Sequence, residues 1–198
     1  MASDSVYADE IIGIQAAAGY IGAIVASSGI VGDVRGLNSI DLIDVRNGSI
    51  ASPDPEVLLT IETKDGIGLI QVCSSDPQSF PARVAANIVA DSDENQIGDV
   101  GGIVADRFDG SVAGHNIGPL QVRAGNLTLL TSTGNAGALG VFESIGSITI
   151  QGDFGIPGVL DWALAVNGIY SIAVGGNLYI GIRANYDTMN PDGHACHT

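Results

Sequence analysis

The side chains able to do chemistry fall into a few short clusters. Asp91-Ser92-Asp93-Glu94-Asn95 alternates oxygen-bearing side chains in the way a Ca²⁺-wrapping turn does, and that hard cation takes roughly six to eight oxygen ligands. Asp91, Asp93 and Asn95 are the candidate ligands. The Gly and distal Glu of an EF-hand are missing, so a solvated acidic loop explains the same residues. Asp187, Asn190 and Asp192 offer a similar set. His194-Ala195-Cys196-His197 carries imidazole and thiolate, both good metal ligands. No second cluster completes a zinc site, and residues 185–198 read as a polar tail. Cys73 and Cys196 are too far apart in sequence for a zinc pair, and two cysteines make no disulfide framework.

Nucleophilic chemistry has less support. His115 has no neighbouring Ser or Cys in a recognisable setting, so no triad follows. Gly134-Asn135-Ala136-Gly137-Ala138-Leu139-Gly140 has the glycines of a phosphate loop but lacks its Lys-Ser/Thr ending and a following helix pattern. It reads as a corner between strands. Tyr170, Tyr179 and Tyr186 could stack on sugars, whereas Trp162 lies in an apolar stretch and reads as core.

The elements that must position these groups show in composition and period. The chain has 198 residues, with 22 acids against 7 bases, a net charge of −15 and a single lysine, Lys64. Nucleic-acid binding is therefore not expected, because phosphates require clustered Lys and Arg. Apolar residues at 45% exclude general disorder, and 28 glycines with few charges suggest short strands and tight turns. Residues 11–32, 124–142 and 162–182 lack charge over a membrane-spanning length. They also hold Gln15, Ser27, Asn126, Asn135, Asn167 and many glycines, so no membrane span is expected.

One pattern recurs seven times: an Ile, usually followed by Gly, with aliphatic residues three and five positions on. The anchors are Ile21, Ile40, Ile67, Ile97, Ile117, Ile145 and Ile169, on average about 25 residues apart. Positions three and five share one face of a strand, and positions two and four share the other. Turn-forming residues such as Gly29, Gly48, Gly125, Asp153 and Asn177 follow at the eighth position. The period describes an all-β, single-stranded parallel β-helix (β-solenoid) of about seven rungs over residues 10–184. An acidic segment, 1–9, precedes it and the 185–198 tail follows. Ile148 and Ile172 are expected to point inward on adjacent rungs.

On such a scaffold a glycosidase needs closely placed carboxylates. A lyase needs carboxylate-bound Ca²⁺ and a basic residue. The outward positions hold only Asp44 and Asp99, two copies apart, and no Arg or Lys. Thr149 is the only outward Thr, far from the flat Thr ladder an ice-binding face would need.

The segments Ile145-Gly-Ser-Ile-Thr-Ile-Gln-Gly152-Asp-Phe154 and Ser171-Ile-Ala-Val-Gly-Gly-Asn-Leu178 resemble the Gly-rich parallel β-helix repeats of large secreted bacterial surface proteins. That resemblance implies a β-helix, an extracellular or cell-surface setting and a role in adhesion or envelope structure; it carries no catalytic motif. Met1 does not open a signal sequence, since Asp4, Asp9 and Glu10 come without any basic residue. Either the protein stays inside the cell or the chain is a mature form or a fragment, and the resemblance implies the latter. The expected function is a non-enzymatic structural or adhesive β-solenoid module, with a polysaccharide-binding or polysaccharide-degrading β-helix as the alternative. Expected partners are glycans or other surface proteins, and end-to-end self-association through a regular, uncapped last rung.

Overall fold

The structure is a computed structural model that describes residues 4–16, 19–75, 81–93, 97–158 and 162–184. It is all-β, with no helix among the described residues and none long and apolar enough to cross a membrane. The strands are β1 (Asp4–Ile11), β2 (Ile14–Gln15), β3 (Ile21–Ile30), β4 (Val34–Arg35), β5 (Ser39–Arg46), β6 (Ser49–Ile50) and β7 (Leu59–Glu62). They continue as β8 (Gly66–Cys73), β9 (Arg83–Val89), β10 (Asp99–Gly114), β11 (Leu120–Ser132), β12 (Val141–Ile150), β13 (Trp162–Val174) and β14 (Gly181–Ala184). All their pairings are parallel. The chain winds into a β-solenoid of about eight turns. An eighth turn joins the seven anchors because β1 stacks on β3, starting at Asp4 inside the 1–9 segment.

The core is a set of aliphatic columns running along the axis. One is Ile21, Ile40, Ile67, Val100, Ile117, Ala136, Phe154 and Leu178, each the register partner of the next. Its neighbour, three residues on, is Ile24, Ile43, Ile70, Ile103, Leu120 and Leu139. All are buried except Leu178 in the last turn, which is 52% exposed. On another face Val34, Ile61, Ile88, Val112, Leu130, Ile148 and Ile172 make a third column. Stacking at about 4.8 Å per turn places each side chain against its equivalents above and below, so apolar area is buried continuously along the axis.

The register corrects three expectations. Ile97 is 59% exposed, and Val100 takes its place in the first column. Ile145 pairs with Leu127, and Ile169 with Ile145, rather than continuing the Ile117 column, so they lie on a different face from Ile21, Ile40 and Ile67. Ile148 is fully buried as expected, but Ile172 is only partly covered, because β14 reaches just Trp162 to Ala165 of β13. The compact turns are shorter than the anchor spacing suggested. Val100, Ile117, Ala136 and Phe154 follow one another at 17, 19 and 18 residues. Longer turns carry excursions, such as residues 51–58 between β6 and β7.

Candidate functional site

Asp91 and Asp93 lie in the turn after β9, and Asn95 is outside the described residues, as are residues 185–198 with Asp187, Asn190, Asp192, His194, Cys196 and His197. Among the described residues no three His, Cys, Asp or Glu side chains form a metal-holding group. Cys73, at the end of β8, is disulfide-bonded. His115 Nδ1 is 2.9 Å from Thr133 Oγ1. The Gly134 loop is a corner: the Gly134 and Gly137 amides donate to the His115 and Ile117 carbonyls of the preceding turn, both at 2.7 Å. Those N–H groups are therefore unavailable to a phosphate.

Asp44 and Asp99 do not form a pair. Asp99 is in register with Gly66, and Asp44 with Gln71, five positions further along β8. Asp44 is buried and accepts from Arg46 Nε at 2.8 Å.

Asp99 instead begins a polar ladder that the anchor pattern does not reveal. Its Oδ1 accepts the Asn116 backbone N–H at 2.9 Å, and Asn116 Oδ1 accepts that of Asn135 at 3.0 Å. Asn135 Oδ1 accepts from Asp153 N at 2.8 Å, and Asp153 Oδ1 from Asn177 N at 2.7 Å. Four such hydrogen bonds thus link five Asx residues in five successive turns. The local reason is the corner geometry, where a backbone N–H turns out of the sheet ladder and a short Asx side chain one turn below reaches it. A signal was present: Gly98-Asp-Val-Gly101, Gly134-Asn-Ala-Gly137 and Gly152-Asp-Phe-Gly155 share a Gly-Asx-apolar-Gly frame.

The densest charge cluster joins residues far apart in sequence. Arg83 and Arg107 are lateral neighbours in β9 and β10. Asp109 Oδ2 accepts from Nε of both at 2.8 Å, and its Oδ1 accepts from Asn126 N at 3.0 Å. Arg107 also donates to both Glu143 oxygens, at 2.6 and 3.2 Å. Bonds to Glu143 and then to Asp109 raise the Arg107 pKa, outweighing desolvation. Burial pushes the Asp109 carboxyl up, but hydrogen bonds from Arg107 and Arg83, with Arg107's charge and Asn126, hold it below the ordinary aspartate value. Nearby Asp106 is buried, and its Oδ2 accepts from the Ser74 and Ala82 amides at 3.3 and 3.0 Å, fastening both ends of the β8–β9 connection.

This cluster sets a pH dependence. A lowered folded-state pKa means Asp109 contributes stability above its unfolded value of 3.8, and that contribution is lost as pH falls through the folded value. Self-repulsion from the −15 charge acts oppositely, weakening as pH falls toward the pI near 4.1. The unfolding temperature is therefore expected to rise from pH 7 to about 5 and to fall below about 4, where aspartates protonate. Solubility should be lowest near the pI. Asp109→Asn should flatten the acid limb; an unchanged limb, or full solubility at pH 4 and low salt, would contradict this account.

Two shallow grooves lie on the outer surface. One, of about 540 Å³, follows the Asx ladder from Asp99 to Asp153 and is walled by Ile156 and Pro157. The other, of about 570 Å³, crosses β11, β12 and β13 beside Tyr170 and is lined by Asn126, Ser144 and Asn167. Tyr170 is 88% exposed. Trp162 is 52% exposed rather than core; its ring lies over Gly181 of the last turn, where any Cβ would meet it. Thr131 stands beside Thr149 in register, but the flanking positions are Ala113 and Ala173, so the Thr pair does not extend into a ladder. Comparison of the chain with family models, with curated proteins and with solved structures found no match.

Proposed function

We propose that the chain is a non-enzymatic structural or adhesive β-solenoid module of an exported bacterial surface protein. The carrying observation is how its acids and amides are used. Asp99, Asn116, Asn135 and Asp153 bind turn to turn, Asp109 holds two arginines, and Asp106 fastens a connection. Polar side chains placed this way stiffen a column rather than converge on a reacting atom. The exported setting rests on the resemblance of the Ile145 and Ile169 repeats to those of secreted surface proteins. A second reading, polysaccharide binding, is favoured by the exposed Tyr170 on its groove.

The test uses beads coated with the full chain on surfaces bearing mixed polysaccharides. The same polysaccharides are then incubated with the free chain and assayed for new reducing ends and unsaturated products. Retention without cleavage is expected. Cleavage would overturn the non-enzymatic reading, and absence of retention on every surface would remove adhesion from it.

End-to-end self-association belongs to the same proposal. Among the described residues nothing pairs with the outer edge of β1 or of β14, and open strand edges recruit further strands. Leu178 and Ile182 are exposed on the last turn, and Tyr7 and Ile12 on the first. Sedimentation should show concentration-dependent association that Ile182→Lys weakens. A strictly monomeric chain up to millimolar concentration would refute it.

A further inference from the structure

We infer that the groove beside Tyr170 is a subsite for one ring of a neutral saccharide. The inference rests on the adhesive reading and gives it a ligand class. Its floor is built by three successive turns: Leu127, Ile145 and Ile169 are register partners inside the solenoid, and Thr128, Gly146 and Tyr170 follow them in sequence. Gly146 cannot carry a side chain, because a Cβ there would run into the Thr128 carbonyl oxygen. The phenol ring therefore borders a bare strip of backbone, and a flat ligand can lie against it.

The polar groups of the groove divide into those already held and those left over. Thr128 Oγ1 donates to the Gly110 carbonyl at 2.7 Å, and Asn126 Nδ2 donates to Asp109 Oδ1 at 3.1 Å. Asn126 is thereby fixed, with its Oδ1 unengaged among the described residues. The Ser144 hydroxyl and the exposed Asn167 amide have no hydrogen-bond partner among the described residues. One aromatic face with an acceptor, a hydroxyl and an amide around it matches a pyranose, which presents an apolar C–H face and a rim of hydroxyls. The lining contains no charged side chain. With no cation to receive a carboxylate or phosphate and a −15 chain repelling both, an uncharged sugar is selected over a uronate or a nucleotide.

The experiment titrates the full chain with gluco-, xylo-, manno- and galacto-oligosaccharides, and with polygalacturonate as the anionic probe, by calorimetry. At least one neutral series should bind. Tyr170→Ala should lower its affinity at least about tenfold, Asn167→Ala by about threefold or more, and Tyr170→Phe by less than about threefold, because stacking rather than the hydroxyl carries the contact. The unfolding temperature should stay unchanged in all three, since both side chains are exposed. Failure of every neutral series, preference for polygalacturonate, or binding that survives Tyr170→Ala would overturn the subsite. Beads carrying Tyr170→Ala separate the two levels: if they still adhere where wild type does, adhesion stands and the subsite falls. If wild-type beads adhere nowhere while Tyr170-dependent binding is measured, the subsite stands and adhesion falls.

Discussion

Phe108→Ala should lower the stability of the protein by about 3–5 kcal/mol, the range for truncating a buried phenylalanine. Phe108 lies in the middle of β10 and is fully buried. Val84 is its register partner on one side and Gly125 on the other, and its ring meets Phe142 edge-on with centroids 6.5 Å apart. The void left by alanine would be walled by strands that are hydrogen-bonded on both edges, so the backbone cannot close over it. Domains of this size are stable by only about 5–15 kcal/mol, so the loss is a large share of the total. Phe108→Leu keeps most of the volume and should cost less than half as much. Urea unfolding followed by circular dichroism reads both; a midpoint unmoved by Phe108→Ala would place the ring outside the core.

Gly125→Ala is the second large effect, and its cause is backbone rather than side-chain packing. Gly125 has φ +114°, and a Cβ there would land on the carbonyl oxygen of Phe108 in the turn below. That oxygen belongs to the ladder between β10 and β11 and cannot swing aside, so strain and overlap add. A loss of at least about 3 kcal/mol is expected, measured in the same way. Gly158→Ala separates the two causes, because Gly158 has φ +79° with nothing within 4 Å of a Cβ. It should lose only about 1–2 kcal/mol, the left-handed penalty alone. Equal losses at the two sites would show that close stacking of the turns is not what requires glycine at position 125.

The local alternation of aliphatic and small residues was enough to establish strands, corners and a solenoid, because inward and outward positions follow from the two-residue period of any strand. The same alternation could not say which face a strand occupies. Every face of a solenoid uses it, so Ile145 and Ile117 look alike in sequence although they stand on different columns. Which face a strand takes is decided by its pairing with the turns on either side, a non-local choice. That is why Ile97 reads as an anchor yet is exposed, with Val100 in its place.

The Asx ladder was the better ruler. A corner N–H needs an acceptor in its own column, so Asp99, Asn116, Asn135 and Asp153 recur at the true turn length. Trp162 reads as core yet is exposed, because its burial depends on the short last turn, which its own segment does not announce. The Arg83–Arg107–Asp109–Glu143 cluster had no sequence signal, and of the groove the sequence offered only Tyr170, as an aromatic able to stack on a sugar. Residues dozens of positions apart become neighbours there only because each turn lies one strand spacing above the last.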